Sequence, residues 1–367
     1  MVQGGIGRGT GCYRASRAPR GLRVFALAAV AVSLIAACSA PNGGGAGGSE
    51  SALPSAEDWD AVVDAANEEG ELIVFSSYAG TEAWEQSFNE AYPDIRLKVE
   101  RVGTGDLISR VDQASAAGEA IADVVYHSNS GWFDERGAEN LVAAFPEDLP
   151  AAEAWPAEAI HDYHLEQLVV PYGLMWNTDQ SEPITDMHQF FEVADPNASL
   201  GVTQPDTAAV AANAMQTTLE SFDDGEFWDL LNATRAQNMN GVVAAQAVAA
   251  GELTYSFPAS AGIPQNLAAQ GAPVEWARMP EMAGYSYATG IVSDPPNPNA
   301  ALVFMDWLMR ESTIEEMLQT FAQDCTSYLD VPSATFAADD IEITDVAEWP
   351  RERWDEFLDD YQEALRR

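Results

Sequence analysis

Three short stretches hold residues suited to binding: Ser76-Ser77-Tyr78, Gly103-Thr104-Gly105 and Ser128-Asn129-Ser130. Each combines hydroxyl or amide side chains with small residues that leave backbone N–H groups accessible. Such a set can surround a small polar ligand with donors, but it supplies no nucleophile and no base. One such stretch is what any turn needs; three at one sheet edge point to binding. Covalent chemistry has no matching pattern, since the chain contains no G-x-S-x-G elbow, Walker loop or H-E-x-x-H helix. Gly103-Thr104-Gly105 begins like a dinucleotide fingerprint, but Ile108 stands where the third glycine belongs and no acidic residue follows on a suitable strand. His161 and His164, with Asp162 and Glu166 nearby, have the i, i+3 spacing of one helix face. A metal usually needs three or four converging ligands, so they read as a solvated face and no metal is expected.

The three polar stretches need strands to position them. Leu72-Ile73-Val74-Phe75 is a short apolar run of the kind buried on both faces of a parallel sheet. Ile95, Leu97 and Val99 alternate as a second strand, and Ala122 to Tyr126 reads as a third. A short helix over Trp59 to Asn67 precedes them. Between them, Trp84, Phe88, Ala91 and Tyr92 share one helix face, stopped by Pro93-Asp94. After a turn at Gly103-Thr104-Gly105, a second face is made by Leu107, Ile108, Val111 and Ala114 and closed by Gly118. Strand–helix–strand–helix–strand with short loops implies a parallel sheet with right-handed crossovers. Ligands of such sheets bind beyond the carboxyl ends of the strands, where the three stretches fall. At the far end of the chain, Trp354, Phe357, Leu358, Tyr361 and Leu365 mark an amphipathic helix expected on the outside of the fold.

Residues 1–23 carry five arginines and no acid, and residues 24–37 are small and apolar apart from Ser33. That apolar run is shorter than the about 20 residues a spanning helix needs, so it reads as an export signal. Ile35-Ala36-Ala37-Cys38 matches a bacterial lipobox, in which Cys38 is lipidated and becomes the first mature residue. Asn42 to Ser51 then forms a flexible tether. The expectation is an extracytoplasmic protein that meets the membrane through its lipid anchor only. Without the leader, 12 basic side chains face 58 acidic ones, a net charge near −46, and Lys98 is the only lysine. Such a surface repels phosphate backbones, which excludes nucleic acid as a partner; the acidity itself reads as halophile-like solvation. With Cys12 lost and Cys38 acylated, Cys325 stands alone, so no disulfide is expected and its thiol reads as a buried filler. The mature length of about 330 residues is enough for two lobes with their own cores.

With these residues in hand, the chain resembles the substrate-binding lipoproteins of ABC importers, most closely the ferric-iron-type (family 1-like) group of extracellular solute-binding proteins. The stretches that carry the resemblance are Glu69 to Ser77, Phe88 to Ile95, Gly103 to Arg110, Ala122 to Val125, Tyr172 to Asp179, Ala247 to Glu252 and Pro298 to Met309, in that order. It implies an α/β, type II periplasmic-binding-protein fold with two α/β lobes, two hinge crossings and a ligand cleft between them. Leu168 to Asn177 would be the first crossing and Tyr285 to Ser293 the second. The implied division is a signal peptide over 1–37, a lipidated tether over 38–56, lobe 1 over 57–170 and 285–345, lobe 2 over 171–284, and a C-terminal helix over 346–367.

Iron-binding members of the group use a histidine, a glutamate and a tyrosine pair, at positions that fall here on Ala79, Ser128, Ala261 and Gly262. None of these side chains suits Fe(III), which wants hard anionic oxygens. In the second lobe, Thr203, Asp206 and Thr207 follow a Leu200–Val202 strand, where relatives offer hydroxyls to an anion. Asn240 and Gly241 precede another helix, and Tyr255, Ser256 and Ser260 fall in the loop after the next strand. Tyr78, Trp132, Tyr172 and Trp176 lie near the loops or crossings, while Arg110 is expected to pair with Asp106 on its own helix. The expected ligand set is therefore Ser76, Ser77, Tyr78, Thr104, Gly105, Ser128, Asn129, Ser130, Tyr172, Asp206, Thr207, Asn240 and Ser256, with no cofactor and no catalysis. The implied function is a monomer that captures a small polar solute, such as a phosphonate or sugar phosphate, and hands it to ABC permease subunits. Capture of ferric iron or an iron chelate, through Tyr255 or Tyr285, is the alternative; an exported hydrolase is a remote one.

Overall fold

The alternation over the first polar stretches folds as read. A computed structural model describes residues 53–367, apart from 79, 194–198, 206–208, 222–223, 235, 280–282, 321–324, 342, 344–349 and 367. The leader, Cys38, most of the tether, Ala79, Asp206 and Thr207 thus lie outside the described residues. Strand β1 (Glu71–Ser76) pairs in parallel with β2 (Arg96–Arg101) on one side and β3 (Val124–His127) on the other. Helix α1 (Trp59–Glu69) leads in and ends at Gly70, whose φ of 69° is left-handed and suits glycine. The crossovers are α2 (Thr81–Ala91), which buries Trp84 and Phe88, and α3 (Thr104–Ala116), which buries Leu107 and Val111. Gly103-Thr104-Gly105 is not a free-standing turn: Gly103 is the N-cap, and α3 starts at Thr104.

Two strands join this part of the sheet to the rest. The first seven residues of β4 (Leu165–Asn177) pair antiparallel with β9 (Gly284–Ile291), from Leu165 opposite Thr289 to Pro171 opposite Gly284. The rest of β4 pairs antiparallel with β7 (Tyr255–Ser260) and β8 (Val274–Arg278). Beyond β7 run β5 (Leu200–Thr203) and β6 (Gln237–Met239), both parallel. On the other side β9 pairs antiparallel with β3. The strand order is β2-β1-β3-β9-β4-β7-β5-β6, with β8 and the short β10 (Thr326–Ser327) also on β4. The result is two α/β lobes in one continuous sheet; the expected crossing Leu168–Asn177 falls inside β4, while Tyr285–Ser293 follows β9 and runs two residues past its end. Where β8 passes β4, a β-carbon on Gly173 would lie 2.2 Å from the Ala277 carbonyl oxygen, so the close approach requires glycine.

Each lobe has its own core. The first centres on Leu72, Val74, Trp84, Phe88 and Tyr126, covered by α10 (Pro298–Met309). That helix is buried from Ala300 to Met309, as its apolar character all round demands; it is followed by α11 (Glu311–Thr320). Around the first lobe also lies α4 (Ser130–Ala138). The second core gathers Leu174, Trp176, Phe190, Leu200, Phe227 and Phe257, with α5 (Met187–Val193), α6 (Ala209–Ser221), α7 (Asp224–Ala233), α8 (Gly241–Ala249) and α9 (Gly262–Ala269) around it. The final helix α12 (Arg351–Arg366) packs on α7 and adds Phe357, Tyr361 and Ala364 to this second core. It is the expected outer amphipathic helix, and the Tyr361 hydroxyl donates to Asn238 Oδ1 at 2.8 Å.

One buried acid, Asp123, and one half-buried acid, Glu69, tie the first lobe together. Asp123 accepts from the Ile73 N–H at 2.7 Å, the Asn297 N–H at 2.6 Å and the Asn297 amide at 3.0 Å. Glu69, from α1, accepts from the N–H groups of Asn299 and Ala300 and so caps α10 from outside.

Candidate functional site

The carboxyl ends of β1, β2 and β3 bring three hydroxyls together. Thr104 Oγ1 donates to Ser77 Oγ at 3.0 Å and lies 3.3 Å from Ser128 Oγ. All three side chains are half-buried. Tyr287 of the crossing strand β9 lies beside Ser77. Behind it lies a wall of rings: Tyr78 stacks on Trp84 at 5.2 Å, Tyr287 meets Tyr78 at 5.4 Å and Tyr126 at 5.2 Å, and Tyr285 links Tyr287 at 5.5 Å to Tyr172 at 5.2 Å. Tyr285 packs against both lobe cores. Burial pushes the Tyr78, Tyr126, Tyr172 and Tyr285 phenols well above their usual range and Tyr287 up to about 12. At neutral pH the wall presents neutral hydroxyls.

Positive groups meet at this edge, together with one acid, Asp106, in the first turn of α3. Helix α3 has no side-chain cap, so the N–H groups of its first turn stay open; a β-carbon on Gly105 would meet nothing within 4 Å. Arg101 ends β2 level with Ser76 and acts electrostatically on Tyr287. It forms no ion pair with any described residue. Other cations are committed: Arg96 and Lys98 to Glu71, Arg136 to Asp112 and Glu139, Arg310 to Asp306. Arg110 pairs with Glu100 on the neighbouring strand, not with Asp106 as spacing along its helix predicts. Two surface hollows, of about 210 and 780 Å³, flank α3 and β2 and are lined by none of the three hydroxyl residues.

The other expected ligands have varied places. The Ser76 side chain is fully buried and accepts from the Tyr78 N–H at 3.1 Å, so it shapes the loop. Tyr78 and Tyr172 are buried within the ring wall. Asn129 Oδ1 caps α4 by accepting from the Trp132 N–H at 3.2 Å, and Ser130 opens that helix. Trp132 and Trp176 are core residues. In the second lobe, Asn240 Oδ1 caps α8, accepting from Val242 N–H at 2.9 Å, and Thr203 Oγ1 donates to the Pro258 carbonyl at 3.1 Å. Tyr255, Ser256 and Ser260 are not in a loop. They lie on β7, which stays paired with β4 from Trp176 opposite Tyr255 to Tyr172 opposite Ser260. Ser256 is buried and its hydroxyl has no hydrogen-bond partner, while the Tyr255 hydroxyl lies 3.0 Å from Ser181 Oγ. Ala261 precedes and Gly262 begins α9. The structure thus gathers Ser77, Thr104 and Ser128 with Tyr78 and Tyr172, and leaves Asn240 and Ser256 on the other lobe. Tyr287 and Arg101 complete the cluster without having been singled out in the sequence; the Tyr285-Ser286-Tyr287 alternation on a crossing strand was the available signal.

The histidine pair is not on a helix. His161 and His164 bracket the turn into β4, where the His161 N–H donates to the His164 carbonyl at 2.9 Å. Their rings stack at 4.3 Å, and His164 is buried, not solvated.

A family model described as bacterial extracellular solute-binding protein matches residues 74–313. The chain belongs to that family. An extracytoplasmic location follows for this solute-binding protein, and among its described residues no helix is long and apolar enough to cross a membrane. Solved structures share its fold. The substrate-binding protein of an ABC transporter from Agrobacterium tumefaciens matches with a TM-score of 0.67 and 14% identity, over 80% of this chain and 94% of the other. The periplasmic binding protein AfuA from Actinobacillus pleuropneumoniae, with fructose-6-phosphate bound, has a TM-score of 0.59 and 18% identity, over 81% and 97%. Iron-bound HitA from Pseudomonas aeruginosa has a TM-score of 0.58 and 17% identity, over 80% and 99%. No curated protein matches the sequence.

Proposed function

We propose that this protein is the solute-binding component of an ABC importer and that its solute is a small organic anion, such as a phosphonate or sugar phosphate. The solute sits between a lobe of residues 57–170 with 285–345 and a lobe of residues 171–284. The observation that carries the reading is the Ser77–Thr104–Ser128 cluster beneath the uncapped start of α3, with the unpaired Arg101 beside it. In a chain with 17 basic and 58 acidic residues, a cation left without a carboxylate partner at a strand end favours an anionic ligand. Hydroxyls and open N–H groups suit the several oxygens of a phosphoryl or phosphonyl group. That AfuA is a relative in fold with a bound sugar phosphate is consistent with this. Closure of the lobes follows from ligand contacts made with both of them only in the closed form. The closed monomer then delivers its cargo to the permease, tethered to the membrane by the lipid on Cys38.

Ferric iron is the second reading, favoured by the neighbouring phenols of Tyr285 and Tyr287. Burial keeps both protonated, so iron would have to displace two protons from an apolar wall. A thermal-shift panel of phosphonates, sugar phosphates, thiamine, polyamines and ferric citrate separates the readings. Phosphorylated or phosphonylated solutes raise Tm, and Arg101→Gln weakens their binding by about 10- to 100-fold through loss of a charge-assisted contact. If only ferric citrate raises Tm and a charge-transfer band develops, the anion reading fails. Cys38→Ser releases the protein into the medium; unchanged membrane fractionation refutes the anchor.

A further inference from the structure

Along β9, side chains alternate between faces. Tyr285 and Tyr287 face the ring wall, so Ser286 and Ala288 face the other way. On that opposite face Ala288 shares a core with Phe133, and His164 stacks on Phe133 at 5.3 Å. His164 is only 1% exposed, yet neither Nδ1 nor Nε2 has a hydrogen-bond partner. His161 Nε2 is likewise buried and unpartnered. A neutral imidazole offers one donor and one acceptor, and burying them unmet is costly. Asp134 Oδ1 lies 3.5 Å from His164 Nδ1, too far for a hydrogen bond. The ligand atoms of His161, His164 and Glu166 all lie within 4.8 Å of one another.

We propose that His161, His164 and Glu166, with Asp134 beside them, bind one divalent transition-metal ion of the Zn²⁺ class. Two imidazoles with carboxylate oxygens are the donor set such ions choose over Mg²⁺ or Ca²⁺. Ligand atoms around a tetrahedral Zn²⁺ stand about 3.3 Å apart, given bonds of about 2.0 Å, so side-chain torsions must draw these atoms together by up to about 1.5 Å and turn the two imidazoles out of their stack. The outer contacts are built: the Tyr328 hydroxyl donates to Glu166 Oε2 at 2.8 Å and lies 3.4 Å from Ser286 Oγ, which orients the carboxylate. The ion would join α4, the turn at 161–164 and the start of β4, across the sheet from the proposed solute site and independent of it.

The test uses the full chain, stripped with EDTA and titrated with Co²⁺ in about 1 M salt, which screens loose binding to the acidic surface. The expected result is one saturating equivalent with the intense visible bands of four-coordinate Co²⁺, displaced by Zn²⁺. Because His164→Ala risks the core, the variants are His161→Ala and Glu166→Gln, with folding checked by circular dichroism. Each should weaken binding about 10-fold or more. A weak, unsaturating octahedral spectrum, or a one-equivalent site that survives both substitutions, overturns the assignment.

Discussion

Asp123→Ala should cost about 2 kcal/mol of stability, and the figure follows from its contacts. The carboxylate is fully buried and accepts three hydrogen bonds, from Ile73 N–H, Asn297 N–H and the Asn297 amide. Leaving a buried donor unmet costs about 1–3 kcal/mol. The Asn297 side chain can turn toward water, which leaves two backbone donors stranded. The charge is not free either: burial pushes the Asp123 carboxyl up despite the donors from Asn297 and Ile73. The native contact is therefore less favourable than three bonds suggest, and the low end of the range applies. Asp123→Asn keeps one acceptor oxygen but turns an NH₂ toward a donor, so about half the loss is expected. Urea unfolding followed by far-ultraviolet circular dichroism measures both, with an unchanged m-value as the control for the denatured state. An alanine variant as stable as the parent, or an asparagine variant worse than alanine, would show that these bonds do not hold β1, β3 and the start of α10 together.

Three more outcomes follow from the fold. Gly173→Ala places a β-carbon 2.2 Å from the Ala277 carbonyl oxygen and 2.5 Å from Trp276, so it should lower stability by about 1–3 kcal/mol; an unchanged Tm refutes the close packing of β8 on β4. His127 is fully buried, and burial followed by His164 lowers its pKa from 6.5 to about 3. Its folded form resists protonation, so its contribution is complete above pH 6.5 and is lost as pH falls toward 3; at pH 5 the loss is about 2 kcal/mol. In EDTA, His127→Gln should flatten the stability difference between pH 7.5 and 5 by that amount, and an unaltered pH profile contradicts the burial. Tyr361→Phe removes the bond to Asn238 and should cost about 1 kcal/mol in chemical denaturation; no change would mean that α12 is held by its apolar face alone.

The sequence was most legible where one periodicity ruled. Leu72 to Phe75, the Trp84–Phe88 face and the Leu107–Val111 face could be placed because each has one apolar side and a clear stop. Both crossings were legible through resemblance, but their register was not, since β4 is apolar on both faces and shows no preferred slip. Strand β7 was lost because Tyr-Ser-Phe-Pro-Ala-Ser carries a proline and two serines, which locally favour a loop; its pairing with β4 and β5 overrides that preference. Arg110 shows the same limit in charge: Asp106 is its neighbour along the helix, but Glu100 is nearer in space. The burial of His164 had no local signal, because it depends on Phe133 arriving from α4. For the candidate site, the three polar stretches were visible, while Arg101 and Tyr287 gained meaning only once β2 and β9 were set beside β1 and β3.

The crossings also set how the lobes can move. Over Leu165–Pro171 and Gly284–Thr289 they are bonded to each other, so the link is a ribbon and not a pair of loose threads. Strand β10 also pairs with β4 at Leu168 and Val169, and β3 with β9 at Ala288 and Thr289, so the link is held within the wider sheet. Any closure of the lobes must therefore bend or twist paired strands, and the backbone hydrogen bonds that cross the link set its range.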